Sequence, residues 1–266
     1  MQEKKAITPR KTPEEEELGS KLAELAGLES ELAQKELDLS TLQAEVGAFE
    51  LHYLQLVGAK LAELDAVKAL IAEAFARLHP ADQQAKREAR EARAQAEETK
   101  QAHQDAVAQP SKSACFQPSE SLKSLYKEAA KKVHPDLAND EKDREERNRV
   151  MAEINEAYRN GDEERIKNLL REWVDSPEAI SGEDIGAKLV RTIRKIAQVR
   201  RRLSTVKTDM AALIGSEIHR LYTLFKEAKA AGHDLLNEMV AKLEEEIQKE
   251  KSKLDQLLAG LRRSST

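Results

Sequence analysis

The chain has 266 residues, of which 35% are charged and only 3% aromatic, with a formal net charge of -5. Such a composition is poor in the large rings of a broad globular core and suits long exposed helices around a small domain, and mild acidity argues against a surface devoted to nucleic acid or an anionic membrane. The single cysteine, Cys115, excludes an intramolecular disulfide framework and a cysteine-rich zinc site, and no leader-like start or run of ~20 apolar residues is present, so the expectation is a soluble, cytoplasmic, all-α protein.

Residues 1–13 are expected to be disordered. From 14 to 79 large apolar residues recur at steps of three and four, and one long coiled-coil helix is predicted. Leu28, Leu32, Leu39, Leu42, Val46, Phe49 and Tyr53 hold one register, and Val57, Leu61, Leu64, Ile71, Phe75 and Leu78 resume it after consecutive steps of four. Such a stutter unwinds a coiled coil locally without ending its helix, so Gly58 reads as a kink, with a hairpin as the alternative. Pro80 stops the pattern after His79. Residues 80–121 carry helix formers and interleaved charges but no large apolar residue before Val107, and are expected to be a solvated helical spacer followed by a proline- and serine-rich linker.

Residues 122–174 depart from this pattern. Leu122, Leu125, Tyr126, Ala129, Ala130 and Val133 share one helical face, with Lys123, Lys127, Lys131 and Lys132 around the rest. His134, Pro135 and Asp136 then end that helix. Val150, Met151, Ile154, Ala157 and Tyr158 form a second apolar face ending at Asn160-Gly161, so the segment predicts a helical hairpin with His-Pro-Asp at its tip. Asp162 is a predicted N-cap for a short third helix, whose Ile166, Leu169, Leu170 and Trp173 are placed to cover the hairpin.

A linker is expected over 175–182, then C-terminal coiled-coil helices over 183–263. Leu189, Ile196, Val199, Leu203, Val206, Met210 and Leu213 keep one heptad, and Leu236, Val240, Leu243, Ile247, Leu254, Leu257 and Leu261 another. Gly232 followed by Asp234 favours a turn between them, with a stuttered continuous helix as the alternative. Residues 14–56 hold eleven acidic and two basic residues, whereas 185–207 hold eight basic and none acidic. Opposite fields of that size favour packing these two helices on each other, within one chain or across a homodimer.

The stretch LKSLYKEAAKKVHPD followed by MAEINEAY resembles a J domain, the module by which J-domain (DnaJ-like) co-chaperones engage Hsp70. Leu122, Tyr126, Lys127, Ala130 and His134-Pro135-Asp136 fill the places of the family's second helix and tip, and Met151, Ile154, Glu156, Ala157 and Tyr158 those of its third. The family's first helix has no clear counterpart, its Gly/Phe-rich and zinc regions are absent, and Leu137-Ala138 and Glu128 depart from its usual residues. The resemblance implies a divergent co-chaperone. Its partner would be a DnaK-type Hsp70, contacted through His134, Pro135, Asp136, Lys123, Tyr126, Lys127, Lys131 and Lys132, over a core of Leu122, Ala130, Met151, Ile154, Ala157 and Tyr158. The chain itself would then be no enzyme and need no metal or cofactor, and its coiled coils would bind or scaffold an unidentified client protein. The alternative is a coiled-coil adaptor whose J-like hairpin no longer couples to Hsp70. Other readings rank lower: His134 and Asp136 lack a third catalytic group, and the basic run Arg191 to Leu203 keeps coiled-coil spacing with no interleaved aromatics, unlike a phosphate-gripping surface.

Overall fold

The computed structural model describes residues 12–108, 116–138, 141–174 and 185–264. Residues 1–11, the 175–182 linker and Cys115 lie outside them. Among the described residues all regular structure is helical: α1 (Pro13–Leu56), α2 (Gly58–Leu78), α3 (Gln83–Ala108), α4 (Glu120–Val133), α5 (Glu141–Asn160), α6 (Glu163–Val174), α7 (Ile185–Ile214), α8 (Glu217–Ala230) and α9 (Leu235–Ser264), with a one-turn 3-10 helix at Pro135–Leu137. No helix among them is long and apolar enough to cross a membrane. The chain forms two compact units, Met1–Ala44 with Gln117–Ile214, and Glu45–Phe116 with Gly215–Thr266.

In the first unit α1 begins with a reciprocal cap, Thr12 Oγ1 accepting from the Glu15 amide while Glu15 Oε2 accepts from the Thr12 amide. Its seam of Leu25, Leu32 and Leu39 meets Ile196, Val199, Leu203 and Val206 of α7, with Leu28 and Met210 at the margin. Arg200 pairs with Glu24 at 2.7 Å and Lys207 with Glu31 at 3.3 Å, so partner numbers rise together and the two helices run in the same direction. These flanking pairs are exposed and worth at most about 1 kcal/mol each, so the apolar seam holds the helices together while charge selects the pairing.

Helices α4, α5 and α6 pack against one another. Ser119 caps α4, its Oγ accepting from the Leu122 amide at 2.9 Å, and Glu163 at the start of α6 accepts from the hydroxyls of Ser119 and Ser121. The core between them contains Leu122, Tyr126, Ala129, Ala130, Val133, Met151, Ile154, Ala157, Tyr158, Ile166, Leu169 and Leu170, all buried, with the Tyr126 and Tyr158 rings 4.7 Å apart. Gly161 ends α5 at φ +72, a conformation that glycine adopts without a side-chain clash, and Asp162 then caps α6 through the Arg165 amide.

The second unit refines one expectation and corrects another. The helix read over 14–79 is two helices meeting at Val57, although Val57 keeps helical angles (φ -88, ψ -33) and its amide still donates to the Tyr53 carbonyl at 2.8 Å. This is a local irregularity of the kind a stutter produces, not a hairpin. More substantially, the stretch expected to be a solvated spacer is α3, which folds back from an Asp82 N-cap and packs along α2. Ala85, Ala89, Ala92, Ala96, Thr99, His103 and Ala106 follow steps of four and three, and each is buried or half-buried. A stripe of small side chains lets two backbones approach closely, which substitutes for large apolar knobs. His103 Nδ1 donates to the Leu54 carbonyl at 3.0 Å, and Gln55 Nε2 to the Ala106 carbonyl at 2.8 Å.

On its other side α2 meets α9 around Ile247, with Lys60–Glu244, Lys68–Glu246 and Lys251–Glu63 ion pairs beside the contact. Phe49 stacks against Tyr222 and Phe225 of α8 at 5.5 and 5.1 Å. The predicted turn after α8 is present: Gly232 has φ +81, the His233 amide reaches the Ala228 carbonyl, and Asp234 accepts from the Asn237 amide. A second break, with Ser216 capping α8 through the His219 amide, had no counterpart in the expected seams.

Two glycine substitutions should have opposite signs. A Cβ at Gly58 would meet His103 at 3.6 Å and Leu54 at 3.8 Å, ordinary contact, so Gly58→Ala is expected to stabilise by about 0.4–1 kcal/mol. Gly161→Ala is expected to cost about 1–2 kcal/mol because a side chain at φ +72 clashes with its own backbone. Urea denaturation of the full chain measures both.

Candidate functional site

The corner between α4 and α5 starts from a steric rule. Pro135 bars helix at the residue before it, and His134 is accordingly extended at φ -55, ψ 133. Proline's missing amide is no loss at the first position of the following turn, which closes by the Leu137 amide on the His134 carbonyl at 3.0 Å and the Ala138 amide on the Pro135 carbonyl at 3.2 Å. The Asp136 amide donates to His134 Nδ1 at 3.2 Å. That bond makes Nδ1 an acceptor and leaves the neutral ring's proton on Nε2.

Nε2 points into the protein and lies 3.2 Å from Oε1 of Glu36, on α1. The same oxygen accepts from Nε of Arg202, on α7, at 2.7 Å. His134 is 4% exposed and Glu36 6%, so this is a buried carboxylate shared by two donors. Burial pushes the Glu36 carboxyl up, but the hydrogen bonds from His134 and Arg202 and the Arg202 charge outweigh it and hold the group below its ordinary value. Arg202 is desolvated, yet its bond to Glu36 and the nearby Asp136 charge hold it above its usual range.

Other contacts cover the corner. Lys195 of α7 donates to the Leu137 carbonyl at 3.3 Å, its ammonium held below its usual value by burial and by the Arg147 charge. Thr41 of α1 shares a 2.7 Å hydrogen bond with the Tyr158 hydroxyl. The Asp136 side chain is 17% exposed, its Oδ2 lies 3.8 Å from His134 Nδ1, and that oxygen meets no hydrogen-bond donor among the described residues. An uncompensated buried oxygen is costly and marks a site that is not optimised for rest.

The residues expected to form one binding surface therefore separate into three environments. His134 and Asp136 face inward under α1 and α7, while Pro135 is half-buried. Tyr126 is 1% exposed and belongs to the core, its hydroxyl donating to Asn155 Oδ1 at 2.7 Å and its phenol pushed up by burial and by the Glu36 charge. The lysines of α4 reach the surface: Lys123 and Lys127 are half-buried, Lys131 and Lys132 exposed, with Lys123 paired to Glu120 and Lys132 to Glu128. Leu122, Ala130, Met151, Ile154, Ala157 and Tyr158 are buried, in the positions expected of core.

Sequence reasoning missed Glu36, Lys195 and Arg202. Their charges were visible in the opposed fields of the two helices, but which of them reaches the corner depends on tertiary register. No group of three or more His, Cys, Asp or Glu side chains among the described residues is placed to hold a metal. No protein-family model matches the chain, no curated protein matches its sequence, and no solved structure matches its fold.

The Glu36 cluster has an acid limit. Its carboxyl is depressed in the folded state from an ordinary value of 4.5, so the unfolded chain takes up this proton first as pH falls. The stability it contributes is complete above that ordinary value and is lost as pH drops through the folded one. Glu36→Gln is expected to be less stable than wild type at pH 7, with the difference shrinking toward pH 3. Denaturant midpoints across that range test this.

Proposed function

We propose that residues 122–174 are a J-type module and that the chain is a co-chaperone of a DnaK-type Hsp70, acting in the cytoplasm. The observation that carries this reading is the hairpin of α4 and α5. It closes on Tyr126, Ala130, Ile154 and Tyr158, sets His134-Pro135-Asp136 at its corner, and turns the α4 lysines outward. α6 packs on both helices of the hairpin, and on this reading it stands in for the family's missing first helix. On this reading the lysines meet an acidic surface of the Hsp70 and His134 and Asp136 act as hydrogen-bonding contacts, while the Hsp70 alone hydrolyses ATP. Charge contacts of that kind raise the encounter rate and fix register, and they weaken with salt. The remaining helices serve to bind or scaffold a client.

The burial of His134 against Glu36 favours a second reading, in which the corner only joins helices and the chain is an adaptor without Hsp70 coupling. Single-turnover ATP hydrolysis by a purified DnaK-type Hsp70 separates the two. The co-chaperone reading expects the full chain to accelerate hydrolysis, His134→Gln to abolish the acceleration, and Lys127→Ala to weaken it about two- to fivefold with a shallower salt dependence. The adaptor reading expects no acceleration from the wild type, nor from any folded variant that exposes the corner.

A further inference from the structure

We propose that α1 and α7 are an autoinhibitory clasp on the corner, with Glu36 as its latch. The inference rests on reading His134-Pro135-Asp136 as the Hsp70 contact. It adds that this contact is withheld until the clasp opens.

The covering groups are aimed at the atoms a partner would use. Glu36 occupies the imidazole's donor, Nε2, and Lys195 occupies the carbonyl of Leu137 just beyond the tripeptide. Arg202 holds Glu36 in place and lends its charge toward Asp136. These groups come from helices far away in sequence, Glu36 being separated from His134 by 98 positions and from Arg202 by 166.

Each body also has apolar packing of its own. α4, α5 and α6 have their own apolar core, and α1 and α7 have their own seam from Leu25 to Val206. On α1 the face beside that seam carries the polar contacts of Glu36 to His134 and Thr41 to Tyr158, together with buried Ala33, Leu37 and Ser40. Arg202 is 36% exposed at its side chain, so the latch can be reached by solvent and competing charge. Closure also leaves Asp136 Oδ2 buried without a donor among the described residues, a cost that opening removes. A latch that is polar and partly wet, with one unsatisfied atom beside it, is suited to release.

The test uses Arg202→Glu in the full chain, which sets a second carboxylate against Glu36, and Lys195→Glu as an independent opening variant. Diethyl pyrocarbonate labelling read by mass spectrometry reports access to His134 without any partner. Both variants are expected to label His134 roughly tenfold faster than wild type, the size of change that breaking one partly buried pair brings to an opening equilibrium. Labelling of the other histidines should be unchanged, which separates opening from unfolding. Single-turnover ATPase assays with the DnaK-type Hsp70 should then show roughly tenfold stronger stimulation at limiting concentration, abolished by adding His134→Gln. If neither folded variant speeds labelling of His134, the clasp is overturned whatever the ATPase does. If stimulation by wild type is already full and the variants add nothing, the regulation is overturned and the co-chaperone reading stands. If labelling rises but neither wild type nor variant stimulates, the co-chaperone reading falls and the regulatory proposal with it.

Discussion

A single carboxylate oxygen ties three distant parts of the first unit together. Glu36 Oε1 accepts from His134 at one edge of the α4–α5 corner and from Arg202 on α7, and Glu36 itself sits on α1. Taken out of water alone, a carboxylate is strongly disfavoured; it is tolerated here because two directed donors replace its hydration. Each donor is likewise desolvated and depends on the same acceptor. Such a cluster adds little net stability compared with an apolar contact of equal size, but it is strict about geometry, because losing Glu36 leaves the His134 donor buried and unsatisfied, and losing either donor leaves the buried carboxylate short of a partner. The register of α1 on α7, and of both on the corner, is set by where these three groups meet.

That constraint works because the apolar packing around it is already complete. α1 and α7 are held by leucine and valine knobs, with charge selecting which helix pairs with which. In the second unit the means differ: α3 carries almost no large apolar side chain and still packs along α2, because alanines at heptad spacing allow close approach. One chain thus uses two forms of helix packing, large residues at a seam and small residues at a near-contact of backbones. Long charged side chains cover the outer faces of both, which is how 35% charge coexists with extensive helix burial.

The sequence made the corner, the caps and the large-residue seams legible, since each has a local physical cause. Proline after His134 stops a helix by sterics, Gly161 and Gly232 supply left-handed φ, and Asp162 offers its carboxylate to the next helix. The opposed charges of α1 and α7 were readable as well, and so was the apolar face running from Leu122 to Tyr158. The alanine heptad of α3 was overlooked because apolar periodicity was judged by large residues alone, although the steps from Ala85 to Ala106 are as regular as those of the leucines. Tyr126 illustrates a different limit: its helical position allowed either the core or the surface, and only packing against Tyr158 decides between them. Glu36 was the least legible, because a glutamate in a run of eleven acidic residues carries no local mark of which one is buried.

The hydrogen-bond inventory of the corner limits how any partner can engage it. Because the Asp136 amide fixes Nδ1 as an acceptor, the imidazole presents a donor at Nε2, and that donor is already taken by a carboxylate. A visitor that uses it must bring an acceptor able to displace Glu36, so engagement is an exchange of partners and not the filling of an open site. Its favourable energy is then the difference between two charge-assisted bonds, which is small, plus whatever is gained by relieving Asp136 Oδ2. The α4 lysines are under no such limit, since they reach solvent while the corner is closed. If the partner is an acidic face of an Hsp70, the sequence of events follows from these accessibilities: long-range attraction to the lysines brings the surfaces together, and release of Glu36 comes second. The encounter rate should accordingly answer to salt and to the lysines, and the lifetime of the complex to the latch.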